Sequence, residues 1–302
     1  MENQNQHIIE ATEDNHDQDT MNDVIQIEEI MAHKGEYDRE AYKARKQHER
    51  QQLFAMADSQ FHAITNDTQS LTQYLRLQGK LGYTSIYTTL LILAQEPKAT
   101  MIRSYDGWRQ LGRTPRKGSG IKVFEVNGEY QREDGSPGVA YSIKSVFDIA
   151  KTDGEPITPH LQPGIRSLVK AIATESPVAI KLIDTLGADR VAEYSKDDNV
   201  IFVKRNSPAG ELFTALVMEL ARSNGLEGFH VLCSTNIVCH HYGISPIVIG
   251  EIPAWVKELN APEKKIAFAM IRQAACDIME RIDRNLFNER QMQRSEPERE
   301  SR

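Results

Sequence analysis

The chain has 302 residues, 40% of them hydrophobic, and a formal net charge of -7. That length supports one large or two modest domains, each with its own core. No apolar run approaches the roughly 20 residues that span a bilayer, and three cysteines (Cys233, Cys239 and Cys276) are too few for a disulfide framework. The expectation is a soluble protein of a reducing cytoplasm.

Residues 1–33 are polar and acidic. Met1 to Met31 carries nine acids and no Lys or Arg, the opposite of a signal peptide's basic start. Such a segment buries too little apolar surface to offset its ordering entropy, which predicts a disordered tail. Its one sticky patch, Asp23 to Met31, is a candidate short helix or docking peptide for a protein partner. From Glu36 to about Lys80 the pattern is helical, with Leu53, Phe54, Met56, Phe61, Ile64, Leu71, Tyr74 and Leu75 as the apolar face. Ser85 to Gln95 reads as a buried helix stopped by Pro97. Met101-Ile102 reads as a short strand and Asp106 to Leu111 as a short helix. Ile121 to Val126 and Val139 to Ile149 read as antiparallel strands, with turn signals at Asn127-Gly128 and Asp134-Gly135.

A Pro- and Gly-rich stretch, Lys151 to Gly164, is the linker candidate. Beyond it, Ile165 to Thr174 and Pro177 to Leu186 look helical. Arg190 to Tyr194 and Asn199 to Lys204 form a hairpin, and helices follow over Ala209 to Arg222, Val231 to Tyr242 and Lys264 to Phe287. The predicted fold class is α+β. Its parts are a tail (1–33), a domain of helices with a small antiparallel sheet (34–155), a linker (156–164), a mainly helical domain with a β-hairpin (165–288) and a charged tail (289–302).

One stretch breaks the acidic balance. From Lys98 to Lys122 the chain carries Lys98, Arg103, Arg109, Arg113, Arg116, Lys117 and Lys122 against Asp106 alone, a net +6. Tyr105 and Trp108 lie among these charges. Cations that track phosphates beside rings that stack on unpaired bases suit single-stranded nucleic acid. All nine residues are candidate contacts, with Trp108 or Tyr105 as the stacking ring. Tyr83 and Tyr87 are secondary candidates.

Leu90-Leu-Ile-Leu-Ala-Gln95, Pro97, Ala99-Thr100, Trp108, Leu111-Gly-Arg113, Lys117-Gly118, Gly120-Ile121 and Val146-Phe-Asp-Ile149 with Thr152 resemble the ArdC-type anti-restriction proteins and their LtrC-like relatives on conjugative elements. The resemblance covers residues 50 to 155 well and continues more weakly to about 285. It implies an N-terminal single-stranded DNA-binding domain followed by a zincin-like metallopeptidase domain. The basic glycine loop, Lys117-Gly-Ser-Gly-Ile121, is one residue shorter than the family's and lacks its second Lys.

The second domain departs further. Where the family carries H-E-x-x-H, whose two His hold zinc and whose Glu activates water, this chain has Met218-Glu219-Leu220-Ala221-Arg222. Both His are absent, Arg would repel the ion, and no Glu stands near His230 to Leu232 as a third ligand. The resemblance therefore implies a pseudo-metallopeptidase with no catalytic residue, metal or cofactor, in which Glu219 pairs with Arg222 along the helix. Cys233, Cys239, His240 and His241 fit no standard metal spacing. Two alternatives stand beside a non-enzymatic DNA-binding protein: an active metallopeptidase with an unrecognised metal site, and a protein-interaction module.

Overall fold

The computed structural model describes residues 39–131, 135–157, 162–187 and 190–295. The acidic tail with its docking peptide, and the last seven residues, lie outside the described residues. By contact the chain divides into residues 1–54 and residues 55–302. In the first, residues 39–54 are helical, with Lys46 paired to Glu49 and Arg45 and Lys46 over the Tyr42 ring.

In the second, helix α1 runs over 55–66. Asp67 then caps α2 (Thr68–Leu81) by accepting the Ser70 N–H, which ends the long helical run predicted through Lys80. Ser85 caps α3 (Ile86–Gln95) in the same way through Thr88 N–H. Phe61, Ile64, Leu71, Tyr74 and Leu75 are buried, as their spacing predicts, and Phe61 and Tyr74 both meet Phe268.

Next come β1 (Ile102–Ser104), α4 (Tyr105–Arg109), β2 (Arg113–Pro115), β3 (Ile121–Gln131), β4 (Pro137–Asp148) and β5 (Thr152–Gly154). They form an antiparallel sheet in the order β1-β4-β3 and a separate β2-β5 pair. Asn127-Gly128 is not the predicted turn. The ladder shifts register between Val126 and Gly128, so this dipeptide is a bulge inside β3 and the strands stay paired as far as Gln131 and Pro137; Asp134 of the other predicted turn lies outside the described residues. Gly128 supplies the positive φ, 142°, that the bulge needs.

The remainder comprises α5 (Ile165–Ala173), β6 (Ala179–Ile183), β7 (Ala192–Ser195), β8 (Val200–Lys204), α6 (Ala209–Ser223), α7 (Gly228–Tyr242), α8 (Ala254–Glu258) and α9 (Ala261–Ser295). The β7–β8 hairpin stands where it was expected. The predicted helix over Pro177 to Leu186 is instead β6, parallel to β8. Its Ala, Lys and Leu are good helix formers, but pairing with the open edge of β8 overrides that weak preference. Helix α9 packs against α5, α6 and α7 and continues past Gln291 to Ser295. Helix α2 lies against α7 at Gly79, where an added Cβ would sit 2.5 Å from the Ile237 carbonyl oxygen. The architecture is α+β. Among the described residues no helix is long and apolar enough to cross a membrane.

Candidate nucleic-acid interface and the Met218 cleft

The basic stretch folds around a few buried polar anchors. Asp148, 2% exposed, accepts the Thr100 and Met101 N–H groups with one carboxylate oxygen and the Ala150 N–H with the other. This ties the approach to β1 to the end of β4. The Gln95 side-chain amide donates to the Lys122 carbonyl, and its oxygen accepts the Lys122 N–H. It thereby imitates a neighbouring strand on the outer edge of β3. Ser104 caps α4 by accepting the Gly107 N–H.

Two residues expected at the nucleic acid belong to this scaffold. Trp108 is fully buried, and its Nε1 donates to the Phe147 carbonyl at 2.8 Å. A ring enclosed on all sides offers no face to a base. Arg113 is 9% exposed. Its guanidinium donates to the Thr152 hydroxyl at 2.8 Å, the Thr152 carbonyl at 2.9 Å and the Gly154 carbonyl at 2.9 Å, and also to the Glu155 carbonyl. Its fork is filled by the chain that follows β4, so it is not a phosphate contact. The linker candidate thus begins in β5, with Arg113 holding it.

The other cations stand outside. Lys98, Arg103, Arg109, Lys117 and Lys122 are exposed. Arg109 donates to the Thr114 hydroxyl, and Arg116 pairs with Asp153 at 2.9 Å. Both members of that pair are exposed, so solvent screens it and a phosphate can displace it. Tyr105 is 47% exposed and meets Phe147 edge-on at 6.2 Å. Arg103 sits opposite Phe147 in the β1–β4 ladder, and Lys122 opposite Ser145 in the β3–β4 ladder. Opposed residues share a face and alternate residues of β4 do too. Arg103, Phe147, Ser145 and Lys122 therefore lie on one face, while Ile121, Val123 and Val146 fill the buried one. Tyr83 and Tyr87 are engaged elsewhere, donating to Asp283 and Asp58.

Between α6 and β7 lies a cleft of about 1080 Å³, lined by Arg190, Tyr194, Thr214, Met218, Glu219 and Arg222 among others. Glu219 is 6% exposed. One carboxylate oxygen accepts the Tyr194 N–H at 3.0 Å and the other pairs with Arg222. Burial raises its pKa above the ordinary carboxylate range, and Arg222 and the Tyr194 N–H oppose that rise. The predicted Glu219–Arg222 pair is present.

Such a carboxylate contributes stability when neutral and loses it as pH rises past its ordinary pKa of about 4.3 toward its higher folded value. Glu219→Gln retains an acceptor for Tyr194 and removes that loss. The melting temperature of the variant, relative to wild type, is expected to climb from about zero difference at pH 4 to a gain at pH 8. A fall of more than about 2 °C at pH 7.5, the size of a 1 kcal/mol loss in a unit of this length, would mean that the charged pair is net stabilising.

Cys233, Cys239 and Cys276 are buried free thiols. Burial pushes the Cys239 thiol up to about 11, against a hydrogen bond from Thr214, so it is a core group. His241 Nδ1 donates to the Gly79 carbonyl at 2.9 Å. Among the described residues no three His, Cys, Asp or Glu side chains converge as metal ligands.

No family model matches the chain. No curated protein matches it either. Among solved structures it is similar to the crystal structure of the antirestriction ArdC protein from R388 plasmid in its metal-free form, with 17% identity, a TM-score of 0.41, and coverage of 67% of this chain and 84% of that one. The Mn(II)-bound structure of the same protein matches with 16% identity, a TM-score of 0.43, and coverage of 67% and 83%.

Proposed function

We propose that the protein binds single-stranded DNA through the exposed cations of the Lys98–Lys122 stretch, without sequence preference. The observation that carries this reading is the sharing of one sheet face by Arg103, Lys122 and Phe147, with exposed Tyr105 edge-on to Phe147. Lys98, Arg109 and Lys117 add charge from the adjoining segments, in a protein whose net charge is -7. A strand threading these groups meets cations for its phosphates and rings for its bases. The resemblance of residues 50 to 155 supports a plasmid or conjugative-element setting in the cytoplasm, with an anti-restriction or DNA-transfer role.

The second half acts in this reading as a non-enzymatic, zincin-like scaffold. Met218 and Arg222 stand in place of the two His, and Glu219 is held by Arg222 and the Tyr194 N–H.

Fluorescence anisotropy with labelled single- and double-stranded oligonucleotides tests the proposal. Single-strand affinity is expected to fall with salt, with a log–log slope of about -0.7 per phosphate contact. Arg103→Ala combined with Lys117→Ala is expected to flatten that slope by about 1.4. Absence of single-strand binding at 50 mM salt, or an unchanged slope in the double variant, removes the proposal.

A further inference from the structure

The outer face of the sheet does not end at Lys122. Following the ladder outward, Phe124 is opposite Ile143, Val126 is opposite Tyr141 and Glu129 is opposite Val139. Without the bulge, the residue after Val126 on this face would be Gly128. The extra residue turns Gly128 to the other face and places Glu129 here. The face therefore reads, outward along β4, Phe147, Ser145, Ile143, Tyr141, Val139. Arg103 and Lys122 stand at its base and Glu129 at its tip.

Tyr141 is 38% exposed and Val126 63% exposed. Phe124 lies beneath Tyr141 at 6.0 Å between ring centroids. Val126, Tyr141 and Val139, open to water at the outer end of this face beyond half-buried Phe147 and Ile143 and buried Phe124, mark an interaction surface. The cations at its base select an anionic partner with flat apolar groups.

We infer that the bound single strand runs from the Arg103–Lys122 end along the outer face of β4 onto the hairpin, with Phe147 and Tyr141 as its stacking rings in place of buried Trp108. This rests on the DNA-binding reading above. Glu129 repels phosphate and sets the outer limit. At a stacked spacing of about 3.4 Å per nucleotide, the path from Phe147 to Tyr141 holds about six nucleotides.

The test uses the full chain, labelled oligo-dT of 4, 6, 8 and 12 nucleotides, and the variants Tyr141→Leu and Phe147→Leu, with circular dichroism as the check on folding. Affinity is expected to rise steeply up to about six nucleotides and only statistically beyond. Each variant is expected to weaken dT8 binding at least fivefold, the low end for loss of one base–aromatic stack. Photo-cross-linking of a bromouracil oligonucleotide is expected to mark Tyr141, a readout that a purely structural role for this ring would not produce. If Phe147→Leu does not fold, the Tyr141 variant and cross-link decide. Wild-type binding with full affinity in Tyr141→Leu and no cross-link at Tyr141 overturns the path while the DNA-binding reading stands. No single-strand binding at 50 mM salt overturns both. Dimerisation that Tyr141→Leu abolishes without changing DNA affinity reassigns the face to a second copy of this chain and overturns the path.

Discussion

Trp108→Ala is expected to destabilise the fold by about 3–5 kcal/mol, the range for truncating a fully buried large aromatic. The ring is 0% exposed, and its Nε1 satisfies the Phe147 carbonyl of β4. Truncation leaves a cavity beneath the sheet and an unpaired acceptor in the strand that carries the proposed face. Urea unfolding measures the effect as a lower midpoint at unchanged slope. DNA affinity falls in this variant only to the extent that the fold is lost, so binding extrapolated to the folded fraction stays at the wild-type value. A stable Trp108→Ala protein with specific loss of DNA binding would return this residue to the interface. Trp108→Phe, which keeps most of the volume, is expected to recover more than half of the lost stability.

Arg113→Ala is the second large effect. Its guanidinium donates to the Thr152 hydroxyl and to the Thr152, Gly154 and Glu155 carbonyls. Hydrogen bonds from a charged group each contribute about 1.5–3 kcal/mol, and a buried acceptor left unpaired adds to the loss. The sum is not additive, so a total of about 3 kcal/mol is the expected destabilisation. Arg113→Lys is expected to recover less than half of it. A lysine keeps the charge but lacks the planar fork that reaches several carbonyls at once. A phosphate contact at this position predicts the reverse: unchanged stability, a salt slope flatter by about 0.7, and near-full rescue by lysine. Thermal melts and salt titrations of the two variants separate these outcomes.

The two residues show how the sequence can be recognisable and its function still misplaced. Trp108, Arg113, Gln95, Asp148 and Thr152 carry much of the resemblance to the anti-restriction family. Each is an anchor: a buried ring, a filled fork, an edge plug, a three-way acceptor and a hydrogen-bond partner of Arg113. Order and spacing report such residues well, because backbone geometry fixes where they must stand. The exposed cations that contact a polyanion in the proposed reading need only be near one another. Lys98, Arg103, Arg109, Lys117 and Lys122 therefore look like any solvated charges when taken singly.

Local sequence determined most of the elements, because their signals act over a few residues. Apolar spacing placed α2, α3, α6 and α7. Charge balance located the basic stretch. The i, i+3 spacing of Glu219 and Arg222 was enough to predict their pair. Other outcomes needed the whole chain. Residues 179–183 became β6 because β8 offered an open edge, and Asn127-Gly128 became a bulge because the strands paired past it. The division of the basic stretch into anchors and surface was settled only where β5 returned to β2 and the Trp108 indole reached β4. Burial and strand register join residues far apart in the chain, so no local window contains them.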